Sequence, residues 1–565
     1  MNSKHTNWYK NAVIYQIYPR SFCDSNGDGI GDIPGIISKL DYLKELGVNC
    51  VWLSPVYDSP QKDNGYDIAN YREIYKPFGT LDDFKEMLKG MHDRGIKLIM
   101  DLVVNHTSDQ HEWFKQAVEN PKSCYRDYYI IRKGKVRKNG KVLPPNNWTG
   151  FFGEKAWSRI GETNDFYLHL FTKEQPDLNW ESPIVRKEVV DILRYWLDMG
   201  VDGFRCDVIN LISKKQNFRS RLPNIALVGK DAYINGPRLH EYLHLLYEQA
   251  YKDYDCMTVG ECVMCNLRNT IKLIKPEREE LDMIFNFSHT DVDNYFGVKY
   301  LYRDFSLIRF KKRLTKYQKA LANGKGWNSL FIENHDQRRS AGRFGTDLKE
   351  FRNESAKSLA TCYFLLCGTP FIYEGQEIGM TNADYKSIND YQDVELKNMY
   401  QKCQESKFFN RLIGKHMFEV SRDNARTPMQ WDDSKFAGFS STKPWLKVNK
   451  NKSYINVKDS IKNPDSIFHY YQKLIEFRKT HSAIIEGKYK IIHKRDKNVF
   501  SYLREDQNES ILIICSFTNK TIENPCLKDM EGYEFALGNY IIKDRLNLKP
   551  YECRIYVKNY KANKN

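Results

Sequence analysis

Short continuous apolar runs, each followed by a stretch with helical spacing, recur along most of this 565-residue chain. Val13-Ile-Tyr-Gln-Ile-Tyr18 reads as a strand buried on both faces. Ile36 to Leu46 has apolar residues at helical spacing and stops at Gly47. Asn49-Cys-Val-Trp-Leu53 is a second strand, Leu81 to Arg94 a second helix stopped by Gly95, and Lys97 to Val104 a third strand. Strands without polar alternation, interleaved with helices, specify a parallel sheet covered by helices. The rhythm returns with a helix from Ile184 to Asp198 and a strand from Asp202 to Val208. Further strands are Met257–Glu261, Leu281–Phe287, Ser329–Glu333 and Pro370–Tyr373. Eight such strands favour a closed (β/α)8 barrel over an open sheet.

The chain is too long for one core and should divide. Residues 107–175 are polar and rich in Gly, Lys, Asn and Trp, with no clear helix after residue 120. They read as a loop-rich B subdomain inserted after the third strand. From about 485, alternating segments such as Asn498–Leu503 and Ser510–Cys515 predict a separate β domain. The expected division is a barrel over 1–106 and 176–482, the insertion at 107–175, and a C-terminal β-sandwich over 483–565.

Composition excludes several classes. The formal charge is +15, from 87 Lys plus Arg against 72 Asp plus Glu. The cations are scattered, with small clusters at 133–138, 311–313 and the C-terminal tail, so they read as a solvated surface and not as a nucleic-acid site. No apolar run approaches the roughly 20 residues of a membrane span, and the N-terminus lacks the apolar core of a signal peptide. The 13 cysteines are odd in number, and Cys50, Cys206, Cys362 and Cys367 lie in apolar runs. Free thiols in a reducing cytoplasm fit this pattern better than a disulfide framework. Cys262-Val-Met-Cys265 has no second pair or His cluster to make it a metal or redox motif, and a monomer is expected.

Residues at the C-terminal ends of barrel strands face the active site. Here those ends carry Asp101, Asn105 and His106, then Arg205 and Asp207, then Glu261, then Asn334-His335-Asp336. Retaining glycoside hydrolysis needs one ionised carboxylate to attack the anomeric carbon and a second, protonated one to release the leaving oxygen. Arg205 lies two positions before Asp207, so both side chains share one face of the strand. Its guanidinium would hold Asp207 ionised. Glu261 follows Gly260 and an apolar strand, a dry setting that should raise its pKa as a general acid requires.

At these residues the chain resembles glycoside hydrolase family 13, the α-amylase family, and within it the oligo-1,6-glucosidase group. The resemblance rests on Asp101-Leu-Val-Val-Asn-His106, Gly203-Phe-Arg-Cys-Asp-Val208, Val259-Gly-Glu261, Glu333-Asn-His-Asp336 and Gln175-Pro-Asp-Leu-Asn179. It implies that Asp207 is the nucleophile, Glu261 the proton donor and Asp336 the transition-state stabiliser. His106, Arg205 and His335 would contact the innermost sugar, with Phe171 in the same binding set. The segments Gln61–Asp67 and Ser421–Pro428 look like the family's exo-acting signature. Asp63 and Arg422 would then grip the outer hydroxyls of a terminal glucose, with Tyr66 stacked beneath its ring. Val208 is similar to members that cut α-1,6 bonds, which makes isomaltose and isomalto-oligosaccharides the leading substrates.

Asp24-Ser-Asn-Gly-Asp-Gly-Ile-Gly-Asp32 sets oxygen donors at alternate positions, the spacing of a calcium loop. Asp24, Asn26, Asp28, the Ile30 carbonyl and Asp32 are the expected ligands, with Ca2+ as the structural ion and Mg2+ as an alternative. Gly35 stands where a full EF-hand would have its bidentate Glu. Two places depart from the family pattern: Arg338, where relatives carry proline, and Cys262–Cys265. They leave open a trehalose-6-phosphate hydrolase, with Arg338 and Lys275 as phosphate ligands. An α-1,4- or sucrose-acting glucosidase or glucosyltransferase is also open, although the isomerase signature Arg-Leu-Asp-Arg-Asp is absent.

Overall fold

The computed structural model describes residues 6–222, 227–295 and 297–560. The last five residues of the basic C-terminal tail therefore lie outside the described part. Eight parallel strands close into a barrel: β1 Ile14–Ile17, β2 Cys50–Leu53, β3 Lys97–Leu102, β4 Gly203–Cys206, β5 Met257–Glu261, β6 Met283–Phe285, β7 Trp327–Leu330 and β8 Thr369–Tyr373. Each pairs with its sequence neighbours, and β8 returns to β1 through Ile14↔Phe371 and Gln16↔Tyr373.

Alternation along these strands sorts the side chains. Ile14, Trp52, Ile99, Met257, Val259, Met283, Phe285 and Phe371 pack together as one buried cluster. Tyr15, Ile17, Val51, Leu53, Leu98 and Phe204 join the larger cluster with the surrounding helices. The cluster around Trp52 is therefore the filled interior that a barrel of this size requires. Counting on by two from its members gives the next inward positions: Gln16, Asp101 and Glu261. Gly203 holds the corresponding place on β4, where a Cβ would lie 2.1 Å from the Met257 carbonyl oxygen. Arg205 and Asp207 follow it at the same parity.

The helix expected over Ile36–Leu46 is two pieces, Ile33–Ile37 and Leu40–Leu46. The Ser38 hydroxyl donates to the Gly35 carbonyl at 2.7 Å, competing with the helical ladder at the break. The helix over Pro183–Asp198 and the one over Leu81–Asp93 agree with their sequence periods.

Between β3 and β4 the chain leaves the barrel. It forms a short helix at Glu112–Glu119, a three-stranded antiparallel sheet from Ile131–Lys133, Asp165–Leu168 and Trp157–Arg159, and a small hairpin. The C-terminal part is a five-stranded antiparallel sheet of β9 Lys488–Ile492, β10 Val499–Glu505, β11 Glu509–Ser516, β12 Glu534–Gly538 and β13 Cys553–Asn559, in the order β9-β10-β11-β13-β12. Every residue of the central strand β11 is buried. Lys311, expected on a solvated face, is instead buried. Its ammonium donates to the carbonyls of His493, Asp496 and Val499, tying a barrel helix to the β9–β10 turn. No helix of the described residues is long and apolar enough to cross a membrane.

Candidate active site

One guanidinium organises the C-terminal mouth of the barrel. Arg205 is buried and carries three carboxylates: Nη1 pairs with Asp101 and, at 2.6 Å, with Asp207 Oδ1, while Nη2 pairs with Glu261. The Trp52 indole N–H donates to Asp101 Oδ2 at 2.9 Å, and the Arg205 guanidinium lies over both Trp52 and Tyr66. Sequence reasoning expected Arg205 to hold Asp207 ionised; in the structure burial outweighs the arginine. Burial raises that carboxyl well above its usual range, reinforced by Glu261 and Asp101 and opposed by Arg205.

Asp336 sits at the other side of the mouth, after β7. Arg426 Nη2 reaches its Oδ1 at 2.6 Å, His335 Nε2 reaches Oδ2 at 3.1 Å, and Arg422 lies 3.7 Å away. Burial alone would raise this carboxyl, but His335, Arg426 and Arg422 prevail and hold it well below its usual value.

The expected sugar-contact residues gather here as well. Tyr66 and His335 lie nearly parallel, with ring centroids 5.4 Å apart and 5° between their planes. The Tyr66 hydroxyl lies 2.8 Å from His335 Nε2, and Gln16 Nε2 lies 2.8 Å from His335 Nδ1. Asp63 accepts from both Arg422 terminal nitrogens at 3.3 and 3.4 Å. Asp393 holds the same arginine from behind, its Oδ1 3.0 Å from Arg422 Nε. His106 Nε2 lies 3.0 Å from the Tyr66 carbonyl, with the Phe171 ring 5.1 Å from the imidazole. Phe171 in turn stacks on Phe151. Burial lowers the His106 pKa, so the ring is neutral near pH 7.

Sequence reasoning missed Gln16, Asp393, Arg426 and Gln175, whose Nε2 donates to Asp63 Oδ2 at 3.2 Å. Gln16 was legible as an inward position on β1, and Gln175 and Arg426 lay inside quoted segments. Asp393 had no signal, since it comes from an irregular connection far along the chain.

Val208, directly after Asp207, has φ 34° and ψ 38°. A β-branched residue there is a genuine backbone outlier, and such strain clusters at functional sites. Its side chain packs with Trp148, Leu211 and Phe218. Arg338 is largely buried; it pairs with Asp293 at 2.7 Å and Glu419 at 3.5 Å, and lies over Tyr302. Lys275, expected beside it, is at the opposite end of the barrel. There it pairs with Glu277 and lines a cavity of about 860 Å3 with Trp327, Thr258 and Tyr489. The helix after β5 carries it down, so closeness to Glu261 in sequence is not closeness in space.

The loop after β1 is a run of Asx turns. Asp24 Oδ2 accepts the Gly29 amide at 2.8 Å, Asn26 Oδ1 the Asp28 amide at 2.9 Å, and Asp28 Oδ1 the Ile30 amide at 2.8 Å. Asp32 caps the following helix, with Oδ1 accepting from Gly35. Gly29 has φ +87°, and a Cβ there would lie 2.4 Å from the Lys443 carbonyl oxygen. The oxygen-only donors suit a hard cation. Asp24, Asp28 and Asp32 do not bring one carboxylate oxygen each within 4.8 Å of one another, so an ion would draw them inward from the amides they accept.

A (β/α)8 barrel with acids and arginines converging at the C-terminal mouth defines a glycoside hydrolase. The chain belongs to the α-amylase family: residues 16–487 match Alpha amylase, catalytic domain. It is 50% identical over 560 residues to the oligo-1,6-glucosidase of Parageobacillus thermoglucosidasius, covering 97% of this chain and 98% of that protein. It is 44% identical to the trehalose-6-phosphate hydrolase of Bacillus subtilis (strain 168), covering 98% and 99%. Among solved structures, it is similar to the isomaltulose synthase of Klebsiella sp. LX3, with TM-score 0.92 and 38% identity over 97% of this chain and 99% of that one.

Proposed function

We propose that this chain is an exo-acting, retaining α-glucosidase that cleaves the terminal α-1,6 bond of isomaltose and isomalto-oligosaccharides. The observation that carries this reading is the grip of Arg205 on both Asp207 and Glu261. Two carboxylates held by one guanidinium suit the short separation of retaining enzymes, in which one of them attacks the anomeric carbon directly. Asp207 is the nucleophile. Glu261 gives its proton to the leaving oxygen and then takes one from water. Asp336, kept anionic by its cationic neighbours, stabilises the positive charge that develops on the sugar. Asp63 and Arg422 bind the outer hydroxyls, so only a chain end enters.

Val208 supports the α-1,6 preference by its place beside Asp207. A phosphorylated-disaccharide substrate has less support, because Arg338 is engaged by two acids and Lys275 is at the far end of the barrel. The β1 loop holds Ca2+, or Mg2+, through Asp24, Asn26, Asp28, Ile30 and Asp32; the ion ties the loop together and takes no part in the chemistry. All thirteen cysteines are free, which supports a reducing cytoplasmic setting; the protein acts as a monomer.

The test is a panel of isomaltose, maltose, sucrose, trehalose and trehalose 6-phosphate, with the released anomer followed by NMR. Isomaltose should be the best substrate and α-glucose the first product. Turnover confined to trehalose 6-phosphate, or β-glucose appearing first, would refute the proposal.

A further inference from the structure

Far from the barrel mouth, three residues of different chemistry meet in the C-terminal part. His493 lies in the turn between β9 and β10. Cys526 and Asp529 come from the connection between β11 and β12, three residues apart around the short helical turn at Lys528–Met530. One ligand atom from each, a nitrogen, a sulfur and an oxygen, lies within 4.8 Å of the other two.

We propose that His493, Cys526 and Asp529 form a binding site for a borderline-soft divalent cation, with Zn2+ the best fit. Imidazole, thiolate and carboxylate are the three side-chain types that zinc takes. A set with sulfur and nitrogen selects against Ca2+ and Mg2+, which take oxygen. Cys526 is fully buried, while the side chains of His493 and Asp529 are each about one-third exposed, at 34% and 35%. The sulfur is thus supplied from the interior and the other two ligands from the rim. Solvent reaches the rim and would provide the fourth, water ligand.

The backbone is built for this placement. His493 has φ 46°, a left-handed conformation that histidine adopts at a cost. Its carbonyl is fixed by the Lys311 ammonium at 3.1 Å, and its imidazole Nε2 lies 2.8 Å from Asp529 Oδ2. The Cys526 amide donates to Asn524 Oδ1 at 3.0 Å, which sets the turn that presents the thiol. The His493–Asp529 contact must open slightly to admit an ion, and both side chains are free to do so at the surface. On binding, the thiol gives its proton to solvent and the thiolate bonds the metal. The imidazole binds through Nε2 with its hydrogen on Nδ1, so the thiol proton leaves with each ion bound. The site would clasp the β9–β10 turn to the β11–β12 connection.

Co2+ replaces zinc in such sites and gives a thiolate-to-cobalt absorption band that oxygen-only sites cannot give. The full-length protein, stripped of metal and titrated with Co2+, should show this band saturating at one equivalent, with Zn2+ abolishing it. Cys526→Ser, nearly isosteric, should lose the band, and His493→Ala should weaken cobalt binding at least tenfold. Each variant should keep its turnover of the preferred sugar. Absence of the band in the wild-type protein, or an undiminished band in both variants, would overturn the assignment. If either variant fails to fold, the proton count on adding Zn2+ to the wild-type protein decides: one per ion supports the site and none refutes it.

Discussion

The Lys214 ammonium lies 2.8 Å from the Asp177 carboxylate, and both side chains are sealed from solvent. The same ammonium donates to Asn105 Oδ1 at 2.8 Å, next to His106. Removing one partner of a buried pair leaves an uncompensated charge, at about 3–5 kcal/mol. Lys214→Met should therefore lower thermal stability by roughly that amount. It should also reduce kcat/KM, because Asn105 orients the His106 ring through its Nδ1. Thermal denaturation followed by circular dichroism checks the first effect; a melting temperature equal to wild type would contradict it.

Asp207→Asn keeps the size and fold of the site but cannot form the covalent bond to the sugar. Loss of a nucleophile should cost about 10^4 to 10^6 in kcat. Steady-state kinetics on isomaltose, with a melt to verify folding, decides the matter. Wild-type turnover in a folded variant would exclude Asp207 from the chemistry.

The two mouth acids should respond to pH in opposite ways. Asp336 is held below its ordinary pKa, so its contribution to stability is full above the unfolded value of about 3.9 and fades as pH falls through the folded value. Asp207 is pushed upward by burial, Glu261 and Asp101. Its contribution is present below about 3.9 and is lost as pH rises through the folded value. Because Asp207 is pushed upward, the acid limb of kcat/KM should lie above about pH 4. A limb at or below that pH would show that Asp207 ionises like an ordinary surface carboxylate.

Val208→Thr should raise hydrolysis of maltose relative to isomaltose by about tenfold, worth about 1.4 kcal/mol of differential transition-state binding. Parallel measurement of kcat/KM for both sugars is the check. An unchanged ratio would remove Val208 as the linkage determinant and leave its left-handed backbone with a purely structural reading.

A chelator should lower the melting temperature, and added Ca2+ should restore it, without altering kcat at temperatures where both forms are folded. At a Ca2+ concentration of 100 Kd, the linkage is worth about 2.7 kcal/mol. Asp28→Ala should abolish the Ca2+ effect. A melt indifferent to both chelator and Ca2+ would argue against an ion in the β1 loop.

The eight strands were legible because a barrel strand is covered on both sides and so runs apolar from end to end. The acids at their ends were legible by counting in twos. Less could be read where contacts depend on distant connections. Asp393 reaches Arg422 from an irregular segment, and nothing local distinguishes it from a surface aspartate. Lys275 misled because nothing local shows that the helix Leu267–Ile274 after β5 carries it to the end of the barrel away from Arg338. Lys311 looked like a surface cation, yet three backbone carbonyls substitute for water around it.

The excursion between β3 and β4 departs and returns at nearly the same point: Thr107 N donates to Pro176 O at 3.2 Å, and His106 bridges Asp177. Its two ends lie side by side, and the entropy of closing such a loop rises only slowly with its length. The segment is thus an exchangeable cassette. A counterpart of different length from another barrel could be spliced between His106 and Asp177 without resetting the strands. That gives evolution, or an engineer, a way to reshape one wall of the mouth while the acids stay in place.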